Sequence, residues 1–372
     1  RGIKQGTWPG ILVEEFELYS WGANSEGRVG DNTSVNKSSP VQVGSDKDWT
    51  DIAGKGEKVN AIRGGALFGW GRCERGKNAL PYSDYRQVSS PVQVGSLTNW
   101  ASVHGGWENG FGIKTDGTLW SWGNDTSGAI GDNTEDINRS ALVEGTAAPA
   151  VAAITTSGEL YVWGNNVNGQ LGLNESPLSG DRSSPTQVGA LTDWADISAG
   201  INHFGSVKTD GTLWTWGYNN AGQLGQNDTV ARSSPVQVGA LTTWAHVSCA
   251  RECTFVVKTD GTLWAWGENG TGRLGINSVV DTSSPVQVGA LTNWSTEQKT
   301  LMGSHRACSG AVKTDGTLWT WGEGAFGSLA QNSTTDVSSP VQVGAITTWS
   351  KIASSGYTVH AIDDVSYRTG MS

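Results

Sequence analysis

Cysteine is scarce: the 372 residues hold four, Cys73, Cys249, Cys253 and Cys308, too few at this length for a disulfide scaffold. Charge is thin as well. Charged residues make up 16% of the chain, and nowhere do five or more Lys and Arg cluster. That lack excludes nucleic acid as a partner, because neutralising phosphates needs a basic footprint. No run of about 18 apolar residues occurs, so no membrane insertion is expected. The chain opens on Arg1 rather than Met, as a processed product does, and no basic, apolar leader follows. His-Glu-x-x-His, Walker loops and nucleophile elbows are missing too. Gly322-Glu-Gly-Ala-Phe-Gly327 matches a dinucleotide fingerprint only as a string, since no helix follows it and it reads as a turn. The expectation is a protein that is not an enzyme, with no cofactor and no metal.

Glycine and tryptophan are abundant instead, at 52 and 19 residues. The tryptophans are periodic. Trp-Gly recurs at Trp21, Trp70, Trp122, Trp163, Trp216, Trp266 and Trp321, at spacings of 49, 52, 41, 53, 50 and 55 residues. Ser-Ser-Pro-x-Gln-Val-Gly follows six of the seven, beginning at Ser38, Ser89, Ser183, Ser233, Ser283 and Ser338; the third copy has decayed to Arg139-Ser-Ala-Leu-Val-Glu-Gly145. Lys-Thr-Asp-Gly-Thr-Leu-Trp stands intact at Lys114, Lys208, Lys258 and Lys313. Six further tryptophans (Trp49, Trp100, Trp194, Trp244, Trp294, Trp349) follow a Gly-x-Leu/Ile-Thr turn or its variant.

One unit reads as four short strands. Ala195–Ser198 and Gly205–Thr209 come first, and Asp210-Gly211 signals a two-residue hairpin turn with positive φ. Thr212–Trp216 alternates with period two, and Pro235–Val238 opens on a proline that suits a strand start or an edge. Four strands in about 50 residues, seven times over, predict an all-β fold: a seven-bladed β-propeller of four-stranded blades. The tryptophans then fill the spaces between blades. Trp349–Ile352 and Val359–Ile362 match the first two strands of a unit without a third, and Glu17–Trp21 a third without a full first. The ring is therefore expected to close by pairing of the terminal segments, with Ile11–Val13 a competitor for the second place. The expected layout is a lead-in over 1–15, one propeller over 16–364 and a tail over 365–372.

Leu213-Trp-Thr-Trp-Gly-Tyr-Asn-Asn-Ala-Gly-Gln-Leu-Gly225 resembles the repeat of the regulator of chromosome condensation propellers. Gly-Gln-Leu-Gly returns at Gly169–Gly172, with variants at Gly27–Gly30, Gly128–Gly131 and Gly272–Gly275. The resemblance covers residues 16–364 and implies protein recognition by one face of a disc. The look is nearest to bacterial and bacteriophage members, which implies an extracellular or virion-associated attachment or decoration module within a larger assembly. Two alternatives stay open: a guanine-nucleotide-exchange-like regulator of a small GTPase, and an enzyme with a site in the central channel. Against exchange stands the lack of a basic tail or wedge-like insertion; against a photoreceptor role stands the lack of Gly-Trp-Arg-His-Thr repeats.

Alternating strands put the Asp-Gly hairpins and the Gly-x-Leu-Thr turns on one face, nearly identical in every unit. The opposite face carries loops that differ from unit to unit, as a binding surface on a repeat scaffold does. The candidate binding residues are Lys55, Lys58, Arg75, Tyr82, Tyr85, Arg86, Trp107, Glu108, Asn109, His203, Arg251, Glu252, His305 and Arg306. The partner expected is another protein or a surface glycan. Asn109, His203, Cys253 and Cys308 hold one repeat position near the channel, where each caps its own loop or, as donor types, the rank holds a metal. Whether Cys249 and Cys253 are bridged the spacing leaves open.

Overall fold

The computed structural model describes residues 11–80, 87–106, 109–124, 128, 130, 150–175, 180–303 and 308–369. Seven antiparallel sheets follow one another along the chain, and the last is completed by the first residues, so the sheets close into a seven-bladed propeller. Blade 5 shows the unit: inner strand Trp194–Ala199, then His203–Lys208, Leu213–Gly217 and outer strand Arg232–Gln237. In blades 3 and 4 three strands each are described. Blade 1 joins the termini. Trp349–Ser355 and Thr358–Asp364 supply its inner half, Phe16–Gly22 and Lys37–Gln42 its outer half. Ile11–Val13 does not take the second place; it pairs with Tyr367–Thr369 as a separate two-stranded ribbon.

The Asp-Gly hairpin differs from the predicted two-residue turn. Gly211 N–H donates to Lys208 O at 2.9 Å and Lys208 N–H to Thr212 O at 2.9 Å, so the loop is Thr209-Asp210-Gly211. Only Gly211 has positive φ, at 78°. This is a three-residue hairpin closed by a glycine bulge, the next commonest solution. The Asp210 carboxylate accepts from Thr212 N and Oγ1 at 2.9 and 2.6 Å, which locks the turn. On the outer strand, Gly217 faces Arg232 and Thr215 faces Val236, so Ser233-Ser234-Pro235 bulges where proline's missing N–H costs the ladder nothing.

The three sequence marks meet at the junctions between blades. At five junctions the Trp-Gly indole donates to a loop carbonyl of the preceding blade: Trp70 to Arg28 O, Trp216 to Gln170 O, Trp266 to Gln223 O, Trp321 to Arg273 O and Trp21 to Ser328 O, all within 2.8–2.9 Å. Those carbonyls belong to the Gly-Gln-Leu-Gly loops and their variants. The same loops then donate a backbone N–H to the outer strand ahead, as Asn227 N does to Ser283 O at 2.8 Å. A methyl on Gly222 would sit 2.5 Å from Ser283 Cα, and one on Gly225 2.8 Å from Trp266 Nε1, so both places need glycine. The glycine after each tryptophan has φ between 88° and 108°, and at Gly217 a Cβ would meet Asn202 O at 2.4 Å.

The Lys of Lys-Thr-Asp-Gly lies over two indoles at once. Lys208 Nζ is 4.7 Å from the Trp194 centroid and 4.6 Å from that of Trp214; Lys114, Lys258 and Lys313 repeat the arrangement. The core is thus a series of interblade layers; one of them joins Phe255, Leu263 and Leu274 of blade 6 to Trp321 and Leu301 of blade 7. Each buried indole contributes roughly 4–6 kcal/mol of gross burial at about 25 cal/mol per Å².

Candidate functional site

Strand direction puts the loops between first and second strands, and the long loops between third and fourth, on one side of the disc. Tyr82, Tyr85, Arg86, Trp107, Glu108, His305 and Arg306 lie outside the described residues, as does the side chain of Arg75. Of the rest, Lys55 lines the central cavity and donates to Ala199 O at 2.8 Å, and the others divide into two groups.

Lys58, Asn109 and His203 do not reach the surface. Each is the first residue of a second strand, pairs with the glycine of its own Trp-Gly, and is at most 1% exposed. Thr358, Cys253 and Cys308 occupy the same place in their blades. The rank stitches neighbours together rather than presenting a face. Lys58 Nζ donates to Asn109 O at 2.7 Å, and His203 Nε2 stands 3.1 Å from Thr254 Oγ1 on the next blade. Thr254 Oγ1 itself donates to Gln223 O at 2.8 Å, so it must accept from His203, which fixes the Nε2–H tautomer. Burial pushes the His203 imidazole down to about 3, and the Lys55 ammonium acts in the same direction. Cys249 and Cys253 are both free thiols, and burial raises each to about 12.

Arg251 is exposed on the blade 6 loop with Glu252 half-buried beside it. Burial raises the Glu252 carboxyl, and nearby Glu268 raises it further. One residue here escaped sequence reading. Phe326 stands in the turn place that Ala221 fills in blade 5, is 47% exposed, and holds φ of 60°. It packs edge-on to Tyr357 of the next blade, with centroids 5.2 Å apart. A left-handed, exposed phenylalanine is an outlier that framework needs do not explain. The signal was available as an aromatic inside Gly-x-x-Gly.

The inner strands surround a central cavity of about 1520 Å³. At its wall Asp51, Asp196, His246 and Lys351 each stand two places after a first-strand tryptophan, and these four pair across blades. Asp51 takes Lys299 Nζ at 2.5 Å and Lys351 Nζ at 3.3 Å, while its Oδ2 also accepts from Val103 N at 2.8 Å. Asp196 repeats the pattern, accepting from Val247 N at 2.9 Å and facing His246 Nδ1 at 2.8 Å. Burial alone would raise the Asp51 carboxyl, but the two lysine charges outweigh it and hold it below the usual carboxylate range.

Lys299 sits there because blade 7 is irregular. Trp294 and Leu301 are seven positions apart, where Trp244 and Val247 are three apart, yet both pairs face consecutive turns of the same ladder. The four extra residues bulge out at the hub on the hairpin side, leave Glu297 and Gln298 exposed, and turn Lys299 inward with φ of 62°. The hairpin face is therefore less uniform than the repeats imply.

Five segments, residues 17–54, 157–206, 210–257, 260–297 and 315–362, match the Regulator of chromosome condensation (RCC1) repeat, and 194–223 match a second form of it. Among curated relatives, the ultraviolet-B receptor UVR8 of Arabidopsis thaliana is 30% identical over 232 residues, 58% of this chain and 52% of that one. The human E3 ubiquitin-protein ligase HERC2 is 27% identical over 145 residues, 37% of this chain and 3% of the ligase. This chain thus spans at most about half of those relatives, and both are eukaryotic rather than bacterial or viral. Among solved structures, human WBSCR16 superposes with a TM-score of 0.79 at 17% identity, covering 95% and 99% of the two chains. Prp20p of Saccharomyces cerevisiae superposes at 0.76 with 16% identity, covering 98% and 94%. At those identities the likeness concerns the fold.

Proposed function

The chain belongs to the regulator of chromosome condensation (RCC1) repeat family, and from that premise we propose that it works by binding rather than by catalysis, as a recognition module for another protein. The observation that carries this reading is the difference between its two faces. Four hairpins on one side repeat the same turn, locked by Asp116, Asp210, Asp260 and Asp315 through the same pair of hydrogen bonds to a threonine. Loops on the other side are individual, with the Phe326–Tyr357 pair and exposed Arg251 among their described residues. Aromatic and arginine side chains are the residues that anchor protein interfaces. A binding role also has precedent among similar folds, since Prp20p is described by its binding to Gsp1p and histones. The extracellular or virion-associated setting rests on the look of the repeat alone.

The test is site-directed photocrosslinking. A crosslinker in place of Phe326 or Arg251 is expected to trap a partner, and one in place of Asp260 is not. Capture only from Asp260 would place recognition on the hairpin face and overturn the assignment. Accelerated nucleotide release from a small GTPase would instead establish the exchange-factor reading.

A further inference from the structure

We propose that the central channel is a binding site for a small organic anion, a carboxylate or a phosphate monoester, which takes the Lys55 ammonium as its counter-charge. The other cations at the channel wall each have a carboxylate partner among the described residues. Lys299 and Lys351 share Asp51, and His246 faces Asp196. Lys55 has no carboxylate within ion-pair distance among the described residues. It extends from blade 2 to blade 5 and donates to Ala199 O at 2.8 Å. An ammonium has three protons to donate, so two remain for a group inside the cavity.

The surroundings suit an anion. Gly54, Gly105, Gly106 and Gly200 line the cavity near Lys55, so no side chain from those positions fills the space. Ser198 Oγ, on the same wall, accepts the Cys249 N–H at 2.9 Å and keeps its own proton for a further acceptor. The nearest titratable neighbours are His203 and Cys249. Burial lowers the first to about 3 and raises the second to about 12, so both are neutral at pH 7 and neither supplies the missing charge. Burial also lowers Lys55, to about 8, the response of an enclosed ammonium with no opposite charge beside it among the described residues. An anion in the cavity reverses that drive, since whatever binds the charged form raises its pKa by the same coupling.

The experiment is calorimetric titration of the whole chain with acetate, octanoate and inorganic phosphate, each alone, against the parent and the variants Lys55→Met and Lys55→Arg. The parent is expected to bind at least one probe with a single-site isotherm, and binding is expected to weaken above pH 8 as Lys55 loses its proton. Lys55→Met should weaken it by roughly tenfold or more, the size expected for losing one partner of an enclosed charge pair, while Lys55→Arg retains it. To separate binding from folding, Tm is read with and without the probe: the probe should raise Tm in the parent and in Lys55→Arg, not in Lys55→Met. Absence of saturable binding to the parent at millimolar probe would overturn the proposal, as would equal binding by Lys55→Met. If Lys55→Met loses stability while the parent ignores every probe, Lys55 is only a strut across the channel. A partner's acidic peptide binding where all three small anions fail would also refute a small-molecule site.

Discussion

Trp216 on the third strand of blade 5 donates its indole N–H to the Gln170 carbonyl of blade 4 at 2.9 Å, with both residues fully buried. The bond makes the Trp-Gly of one repeat and the Gly-Gln-Leu-Gly of the one before it two halves of a single joint. At two joints the same carbonyl takes a second donor from the blade ahead. Thr254 Oγ1 shares Gln223 O with Trp266, and Ser309 Oγ shares Arg273 O with Trp321. Blade 2 has lost the motif, its loop folding instead into a short 3-10 helix over Glu74–Gly76. In the next blade, Trp122 Nε1 is buried and finds no acceptor.

That contrast gives an internal control. Trp216→Phe leaves the Gln170 carbonyl buried and bare, and is expected to cost about 1–3 kcal/mol beyond the lost packing. Trp122→Phe removes an N–H that is already unpaired, so its hydrogen-bond cost should be close to nil. Urea unfolding of both variants checks this. Equal losses would show that the joints are held by ring packing alone.

Asp51 carries two lysines from blades 7 and 1 and a backbone N–H from blade 3, so it ties four consecutive blades together at the hub. Asp51→Ala strands both ammonium groups beside the channel and should destabilise the fold by about 3–5 kcal/mol. Lys299→Met should cost more than Lys351→Met. Each also donates to a backbone carbonyl, Lys299 to Val103 O at 2.8 Å and Lys351 to Thr50 O at 2.6 Å, so the difference lies in the shorter Asp51 contact and the deeper burial of Lys299, 21% exposed against 34%. The pH sign follows from the lowered carboxyl. The folded-state pKa lies below the unfolded one, so this stability is present above the unfolded value of about 3.9 and is lost as pH falls through the folded value. Asp51→Asn should flatten that part of the acid-unfolding curve.

The ring, its blade count and its closure were legible because each blade repeats one local code, and the code is read by period and turn residues. The joints were legible only as marks. Nothing in the string Trp-Gly says that a methyl on Gly217 would strike Asn202 O, or that the indole's acceptor lies 46 residues earlier. Lys58, Asn109 and His203 read as loop residues because they are polar and precede the apolar alternation; in space each opens a strand and is sealed by its neighbours. The channel was the least legible part. Asp51 and Lys299 are separated by 248 residues and meet only because the ring closes. Even so, the long interval from Trp294 to Cys308, set against Trp244 to Cys253, carried a signal that blade 7 is different.

Buried histidines give the last prediction. His203 and His360 are each at most 1% exposed, and burial lowers both to about 3. His360 lies between Ser20 Oγ and Ser355 Oγ, each 2.8 Å from a ring nitrogen, an arrangement that serves the neutral ring with one hydroxyl accepting and the other donating. An unfolded histidine titrates near 6.5, so between about 6.5 and 3 the unfolded chain binds more protons than the folded one. Stability therefore rises with pH across that window, and it begins to fall once the solution is acidified below about 6.5, before the carboxylates titrate. Chemical unfolding at a series of pH values should show this loss. His360→Gln should reduce the slope by up to one proton's worth, at the expense of stability at neutral pH. A slope between pH 6 and 5 unchanged by His360→Gln would mean that the imidazole is charged in the folded ring.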